Sequence, residues 1–167
     1  ERMGRADLVA YPQVPGSTVA AIRALLPPDS TVEPITGDEG DVVLPGEQAS
    51  VTVWSMDLDG LAQGMLTVLG GRLPSGPAEV AISEPVATLA AAEVGGHITL
   101  SANDPVAGPV PVSGPAAAAR PVTVVGLVED PLHLDARIVL VDPSTAVAAG
   151  ARGEATLLVG LPTGASA

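Results

Sequence analysis

Glycine and proline interrupt this sequence so often that no long helix can form. The 167 residues include 19 glycines and 17 prolines. Proline inside a helix removes a backbone donor and clashes with the preceding turn, and glycine weakens the interior of helices and strands. The chain is therefore expected to consist of short strands and short helices joined by frequent turns.

Apolar stretches between these turns predict about eight or nine strands and three short helices, which is an α+β class with β structure predominating. Strand-like segments lie at 7–11, 31–35, 42–44, 51–54, 79–82, 97–101, 122–128, 137–141 and 155–160. The predicted helices cover 18–26, 61–69 and 84–93. Residues that can cap these helices precede each of them, namely Ser17, Asp57 or Asp59, and Ser83.

Two segments are predicted to be loops. The acidic segment 37–41 (GDEGD) combines glycine with carboxylates and separates two short strands. The stretch between Asn103 and Arg120 is rich in proline and small residues, which is typical of a mobile hairpin or loop and not of a central strand.

Composition limits the core, the partners and the source. Apolar residues make up 47% of the chain, but Trp54 and Tyr11 are the only aromatics, so valine, leucine, isoleucine and alanine must build the core. A net charge of -12 disfavours nucleic acids and anionic lipids as partners. The absence of cysteine excludes disulfides and thiolate sites, and is compatible with either side of a bacterial membrane. All seven basic residues are arginines, which indicates a G+C-rich source such as an actinobacterium.

No apolar stretch approaches the roughly 20 residues that a membrane-spanning helix requires, and the sequence starts without the pattern of a signal peptide. The expectation is a soluble protein or a soluble part of a larger one.

Two segments carry a resemblance to a known family. Residues 70–100 read GGRLPSGPAEVAISEPVATLAAAEVGGHITL, and residues 120–131 read RPVTVVGLVEDP. Their order resembles the extracytoplasmic domain of FtsX-like ABC transporter permeases, also called the MacB-like periplasmic core domain. In that family a G-R-x-P-x-G-x-x-E-V-x-I-S segment is followed by a helix, a V-G-x-x-I-T-L strand and a V-x-V-V-G-V-V-x-x-P strand.

The resemblance implies two lobes. A membrane-proximal, ferredoxin-like βαβ lobe would combine 1–50 with 150–167, and a β-rich lobe would be inserted at 51–149. Family members usually continue past a strand like 155–160 with a second helix and strand. The lobe is therefore expected to be truncated or to be completed by another chain, and an unpaired strand edge would favour dimers.

Motifs for catalysis are weak in this sequence. The glycine spacing of 71–76 matches a phosphate-binding loop, but Pro77 occupies the place of the required lysine. His97 and His133 lack a second histidine at helical spacing, so ordinary surface roles are favoured over metal or acid-base roles. The chain contains no G-x-S-x-G motif. No catalytic, cofactor-binding or metal-binding residue is therefore assigned.

Acidic pairs offer the best remaining chemistry. Asp38, Glu39 and Asp41 form one group, and Asp57 and Asp59 form another. Both lack the further ligands of a calcium loop, so a solvated loop and a helix cap are favoured.

Two other side chains allow two readings each. Arg72 could face a partner or hold its own turn by bonding carbonyl groups. Trp54 is interpreted as a core residue in preference to a binding platform.

The resemblance implies a non-enzymatic function at the cell membrane, on its extracytoplasmic side. The domain would couple motion of its own transmembrane helices, driven by a cytoplasmic ABC ATPase, to an external substrate or protein partner, and it could form a homodimer. The process could be export of lipid, lipoprotein or peptide, or control of a cell-wall hydrolase. The alternatives are a secreted calcium-binding enzyme and a free solute-binding or adhesion module. No cofactor and no nucleic acid is expected.

Overall fold

The computed structural model describes residues 5–11, 19–102, 119–143 and 156–162. These residues form nine strands and two short helices. The strands are β1 (Leu8–Ala10), β2 (Thr31–Leu44), β3 (Glu47–Ser55), β4 (Thr67–Gly71), β5 (Glu79–Ser83), β6 (His97–Ala102), β7 (Arg120–Glu129), β8 (Ile138–Val141) and β9 (Thr156–Gly160). The helices are α1 (Val19–Arg23) and α2 (Glu84–Ala90). The fold is mostly β, in agreement with the predicted predominance of strands.

Six strands close into a mixed barrel. Their order is β2-β3-β8-β5-β7-β6, and β6 pairs again with β2. The pairs β3–β8 and β5–β7 are parallel, and the other four pairs are antiparallel. Closure leaves these six strands without an open sheet edge along the paired segments.

Aliphatic side chains fill the barrel because alternate strand residues point inward. In β7, Val122 and Val124 are fully buried, whereas Thr123 and Val125 between and after them are only half-buried. Val86 of α2 packs on the same interior cluster. The other interior residues are Val42, Val51, Val53, Val80, Ile82, Ile98, Leu100, Val139 and Val141.

A second cluster covers the outer face of the barrel. Ala81 and Leu140 belong to it, since they alternate with the inward residues of β5 and β8. The turn segment 56–66, between β3 and β4, supplies Met56, Leu58, Ala62 and Leu66 to this cluster. This segment is therefore packed as core and not as a surface loop.

Leu61 fixes the 56–66 segment to two other parts of the chain. Its backbone N–H donates to Glu33 Oε2 at 2.6 Å, and its carbonyl accepts from the N–H of Arg5 at 2.8 Å. The segment is thus bonded to β2 and to Arg5, three residues before β1.

Strands β1, β9 and β2 extend the sheet beyond the barrel. Both β1 and the first part of β2 are antiparallel to β9, which lies between them, so β1 and β2 run in the same direction. Helix α1 connects these two parallel strands. Its face packs on a third, small cluster around Val32, Leu157 and Val159.

The predicted acidic loop at 37–41 is wrong, because β2 is one continuous strand of 14 residues. Residues 36–44 pair with β3 in unbroken register, and residues 40–43 also pair with β6. The two glycines fit this strand because Gly37 lies against the ring of Trp54 and Gly40 lies against Val53. Pairing with β3 along the whole segment, and with β6 at its last two residues, overrides the loop-like composition.

The predicted helix at 61–69 is also wrong. Gly64 has φ +89°, which an α-helix does not allow, and Thr67–Gly71 form strand β4 along β7. The apolar residues whose spacing suggested a helix include Leu61, Met65 and Leu66, which lie in the turn segment and pack in the outer cluster.

Ser83, the predicted cap of the helix after β5, does not cap it through its side chain. Ser83 occupies the N-cap position of α2 but makes no side-chain capping bond. Its hydroxyl donates to the carbonyl of Ala136 at 2.8 Å and accepts from the N–H of Ile138 at 2.9 Å. The helix ends at Ala90 and not at Glu93, because Ala91 adopts the left-handed conformation with φ 47°.

The remaining predicted strands agree with β1, β3, β5, β6, β7, β8 and β9 within a few residues. The predicted cap Ser17 and the predicted loop at 103–118 lie outside the described residues. The division into two lobes stays a prediction.

Candidate functional site

The two histidines do not form a joint site. His97 is exposed at the start of β6, where it pairs with Thr123 near the start of β7. His133 follows the other end of β7, and its Nδ1 lies 3.0 Å from Asp130 Oδ2. The length of β7 therefore separates them.

The acidic group on β2 is split between two faces of the sheet. Consecutive strand residues point to opposite sides, so the side chain of Asp38 lies on the face opposite to Glu39 and Asp41. Asp41 Oδ1 accepts a hydrogen bond from Ser50 Oγ at 3.0 Å. Across the described part of the chain, no three His, Asp or Glu side chains are grouped so that they could hold a metal ion.

Asp57 stabilises a turn and not a helix. Its Oδ1 accepts from the N–H of Asp59 at 2.9 Å, and this bond forms a turn at the start of the 56–66 segment. Trp54 packs on the outer cluster, as expected for a core residue.

Arg72 organises the turn between β4 and β5. Its guanidinium donates to the carbonyl of Leu73 at 3.1 Å and to both carboxylate oxygens of Glu79, at 2.7 and 2.5 Å. The N–H of Ser75 also donates to Glu79, at 3.0 Å. Of the two readings of Arg72, the structure supports the one in which it holds its own turn. The glycine spacing of 71–76 serves this turn.

Contact between Arg72 and Glu79 shifts the pKa values of both groups. The hydrogen bond from Arg72, together with the bond from the Ser75 N–H, lowers the pKa of Glu79 from 4.5 to about 2. The same hydrogen bond raises the pKa of Arg72. The ion pair therefore persists in moderately acidic solution.

We expect the turn to contribute pH-dependent stability. Because the pKa of Glu79 is lower in the folded state than its usual value of 4.5, its contribution is present above that value and is lost as the pH falls toward about 2. In urea unfolding between about pH 6 and about pH 2, Glu79→Gln should remove part of this loss of stability. Ser75→Ala keeps the ion pair, so this variant should lose stability with falling pH as the wild type does. Identical pH profiles for the wild type and Glu79→Gln would contradict this role.

The sequence predicts a loop around His133, between β7 and β8, but not the hydrogen bonds that brace the 130–136 turn. Asp130 Oδ1 accepts from the N–H of Leu132 at 2.9 Å, and its carbonyl accepts from the N–H of His133 at 3.1 Å. The N–H of Ala136 donates to the carbonyl of His133 at 3.0 Å. Although partial burial acts to raise the pKa of Asp130, the bonds from Leu132 and His133 outweigh it and lower that pKa.

This braced turn presents two leucines to solvent. Leu132 is 74% exposed and Leu134 is 65% exposed. Ser83 anchors the base of the turn through Ala136 and Ile138. In the sequence, the only signal was a pair of leucines on either side of a histidine after a strand, and such a pattern does not reveal exposure.

Comparison with solved structures identifies the fold. The extracellular domain of the noncanonical ABC-type transporter YknZ from Gram-positive bacteria matches with a TM-score of 0.53 and 13% sequence identity, over 80% of this chain and 66% of that one. A domain of a protein described as a permease, from Porphyromonas gingivalis, matches with a TM-score of 0.54 and 15% identity, over 90% of this chain and 70% of that one. This chain has the fold of ABC permease extracellular domains. The family resemblance seen in the sequence is thus confirmed at the level of the fold.

By sequence, the chain matches no family model and no curated protein. It spans about two thirds of the length of the two solved domains. Neither of the helices in the described residues is long and apolar enough to cross a membrane.

Proposed function

We propose that this chain is the extracytoplasmic domain of a bacterial ABC transporter permease and has no catalytic role. The observation that carries the proposal is the fold shared with the YknZ extracellular domain. The ordered sequence motifs of β5, α2, β6 and β7 support the same assignment.

The geometry of the two chain ends is compatible with this proposal. The N–H of Asp7 donates to the carbonyl of Val159 at 2.9 Å, and the N–H of Leu161 donates to Asp7 Oδ2 at 2.9 Å. Asp7 and Leu161 therefore lie side by side. Adjacent ends suit a domain inserted between two membrane helices, and they are also common in other domains.

Under this proposal, the β1-β9-β2 layer with α1 belongs to a membrane-proximal lobe (1–50 with 150–167), and the inserted lobe (51–149) carries most of the barrel. Strand β2 of the first lobe pairs with β9 through 31–35 and, without a break, with the barrel strands β3 and β6 through 36–44. The bonds of Leu61 to Arg5 and Glu33 provide a second connection near the chain ends. Movement of the membrane helices, driven by a cytoplasmic ATPase, would reach the barrel through these two connections.

The proposed coupling serves export of lipid, lipoprotein or peptide, or control of a cell-wall hydrolase, on the extracytoplasmic side of the membrane. The possible partners are the chain's own transmembrane helices, the ATPase subunit, a second copy and an external protein.

Membrane fractionation of cells that carry the native gene tests this function. An antibody against the domain should detect an antigen that stays with the membranes after alkaline extraction and that external protease cleaves in wall-stripped cells. Antigen released into the medium, or protected from external protease, would overturn the proposal.

A further inference from the structure

We propose that the 130–136 turn is a docking surface for an extracytoplasmic protein that offers an apolar groove bordered by basic residues. The inference deepens the proposed function and rests on it for the position of the membrane. The two leucines of the turn are its anchors.

The turn is pre-organised for binding. Two bonds to Asp130 and one to His133 fix its backbone, and the buried Ser83 hydroxyl holds its base. A partner would therefore bury Leu132 and Leu134 without first ordering the segment, which lowers the entropic cost of association. Covering the two leucines would remove apolar surface from water, which is favourable.

Strand β4 adds apolar surface beside the turn. Its first residue, Thr67, pairs with Glu129, the last residue of β7 before the turn. The next two residues, Val68 and Leu69, are exposed as well.

The direction of the strands places the turn away from the chain ends. Strand β7 is antiparallel to β6, and β6 is antiparallel to β2, so β7 runs in the same direction as β1 and β2. These strands lead away from the point where Asp7 and Leu161 meet. If the chain ends attach to membrane helices, the turn points away from the bilayer, which makes lipid an unsuitable occupant.

Charge around the leucines selects the kind of partner. The carboxylates of Glu129, Asp130 and Asp135 lie in or next to the turn, and Glu84 follows Ser83, whose hydroxyl bonds the base of the turn. The basic residues of this region are Arg137 and His133, and His133 Nδ1 lies 3.0 Å from Asp130 Oδ2. With a net charge of -12 for the chain, a second copy would meet the same sign of charge, whereas lysine or arginine at the border of a groove would be complementary.

Photo-crosslinking in living cells provides the first test. The full-length protein would carry para-benzoylphenylalanine at Leu134 or, as a control, at Val94, an exposed apolar residue (44%) in the turn before β6. We expect a crosslink from Leu134 to a different protein and no such crosslink from Val94. A crosslink to a second copy of the chain, a crosslink to lipid only, or no crosslink would each overturn the proposal.

Binding of the crosslinked protein, after purification, provides the second test. The double variant Leu132→Ala with Leu134→Ala should weaken its affinity for the full-length protein by about tenfold or more, and Val94→Ala should leave it unchanged. Affinity should also fall between about 0.05 M and about 0.5 M salt, because the border contacts are ionic. Affinity that is insensitive to the leucines would overturn the docking surface.

The location of the Val94 variant separates the two proposals. If this variant stays with the membranes after alkaline extraction but the Leu134 variant gives no crosslink, the docking surface fails and the permease function stands. If the variant is not in the membrane fraction, the permease function fails independently of any crosslink.

Discussion

Replacing Gly126 with alanine should lower the free energy of unfolding by about 3 kcal/mol or more. A Cβ atom at this position would lie 2.2 Å from the carbonyl oxygen of Arg72. The obstacle is backbone that cannot rotate away, because the N–H of Arg72 is bonded to the carbonyl of Val125 at 2.9 Å. The side chain can be accommodated only if β4 and β7 separate.

Gly126 has no room for a side chain because the strand pairing is irregular on both sides of β7 next to it. The pairing with β4 shifts between Val68 and Gly70, and the pairing with β5 shifts between Val80 and Ala81. Gly126 is the partner of Gly71 in β4 and of Ala81 in β5. A bulge on each side brings the backbones close together.

Gly70→Ala is the matched control for this prediction. Gly70 lies in the same strand as Gly71, but a Cβ atom added to it would meet no atom within 4 Å. Its effect should stay within about 1 kcal/mol. Urea unfolding followed by circular dichroism measures both variants, and equal stability of the two would contradict the proposed close approach.

Leu158→Ala should cost about 2 to 5 kcal/mol. Leu158 of β9 is fully buried in the outer cluster, together with Ile35 of β2, Leu140 of β8 and Leu66 of the 56–66 segment. Truncation would leave a cavity where the β1-β9-β2 layer meets the barrel. The same unfolding measurement tests this cost.

Leu25→Ala serves as its control, because Leu25 is 86% exposed and its loss should change stability by no more than about 0.5 kcal/mol. A loss below about 1 kcal/mol for Leu158→Ala would mean that β9 does not share a core with the barrel.

The strands were largely predictable from the sequence, but their pairing was not. Alternating burial along a segment such as 122–128 is a local property that the residues display directly. The parallel pairs β3–β8 and β5–β7 join segments that are far apart in the chain, and no local pattern shows which strands will meet. Closure of the barrel therefore emerges only in three dimensions.

The two wrong elements have a common cause. Segment 37–41 has the composition of a loop, and segment 61–69 has the spacing of a helix, but tertiary contacts decide both. Strands β3 and β6 hold the first as a strand, and the outer cluster holds the start of the second as packed turns. The exposed leucines of the 130–136 turn escaped prediction for a related reason, since exposure depends on what the fold leaves uncovered.

Labelling of a single introduced cysteine tests the extracytoplasmic assignment most directly. The chain contains no cysteine, so Val94→Cys in the full-length protein would place one exposed thiol in this domain. A membrane-impermeant maleimide should label this thiol in intact, wall-stripped cells to the same extent as in permeabilised cells. Labelling only after permeabilisation would place the domain in the cytoplasm and would contradict its assignment as the outer part of an ABC permease.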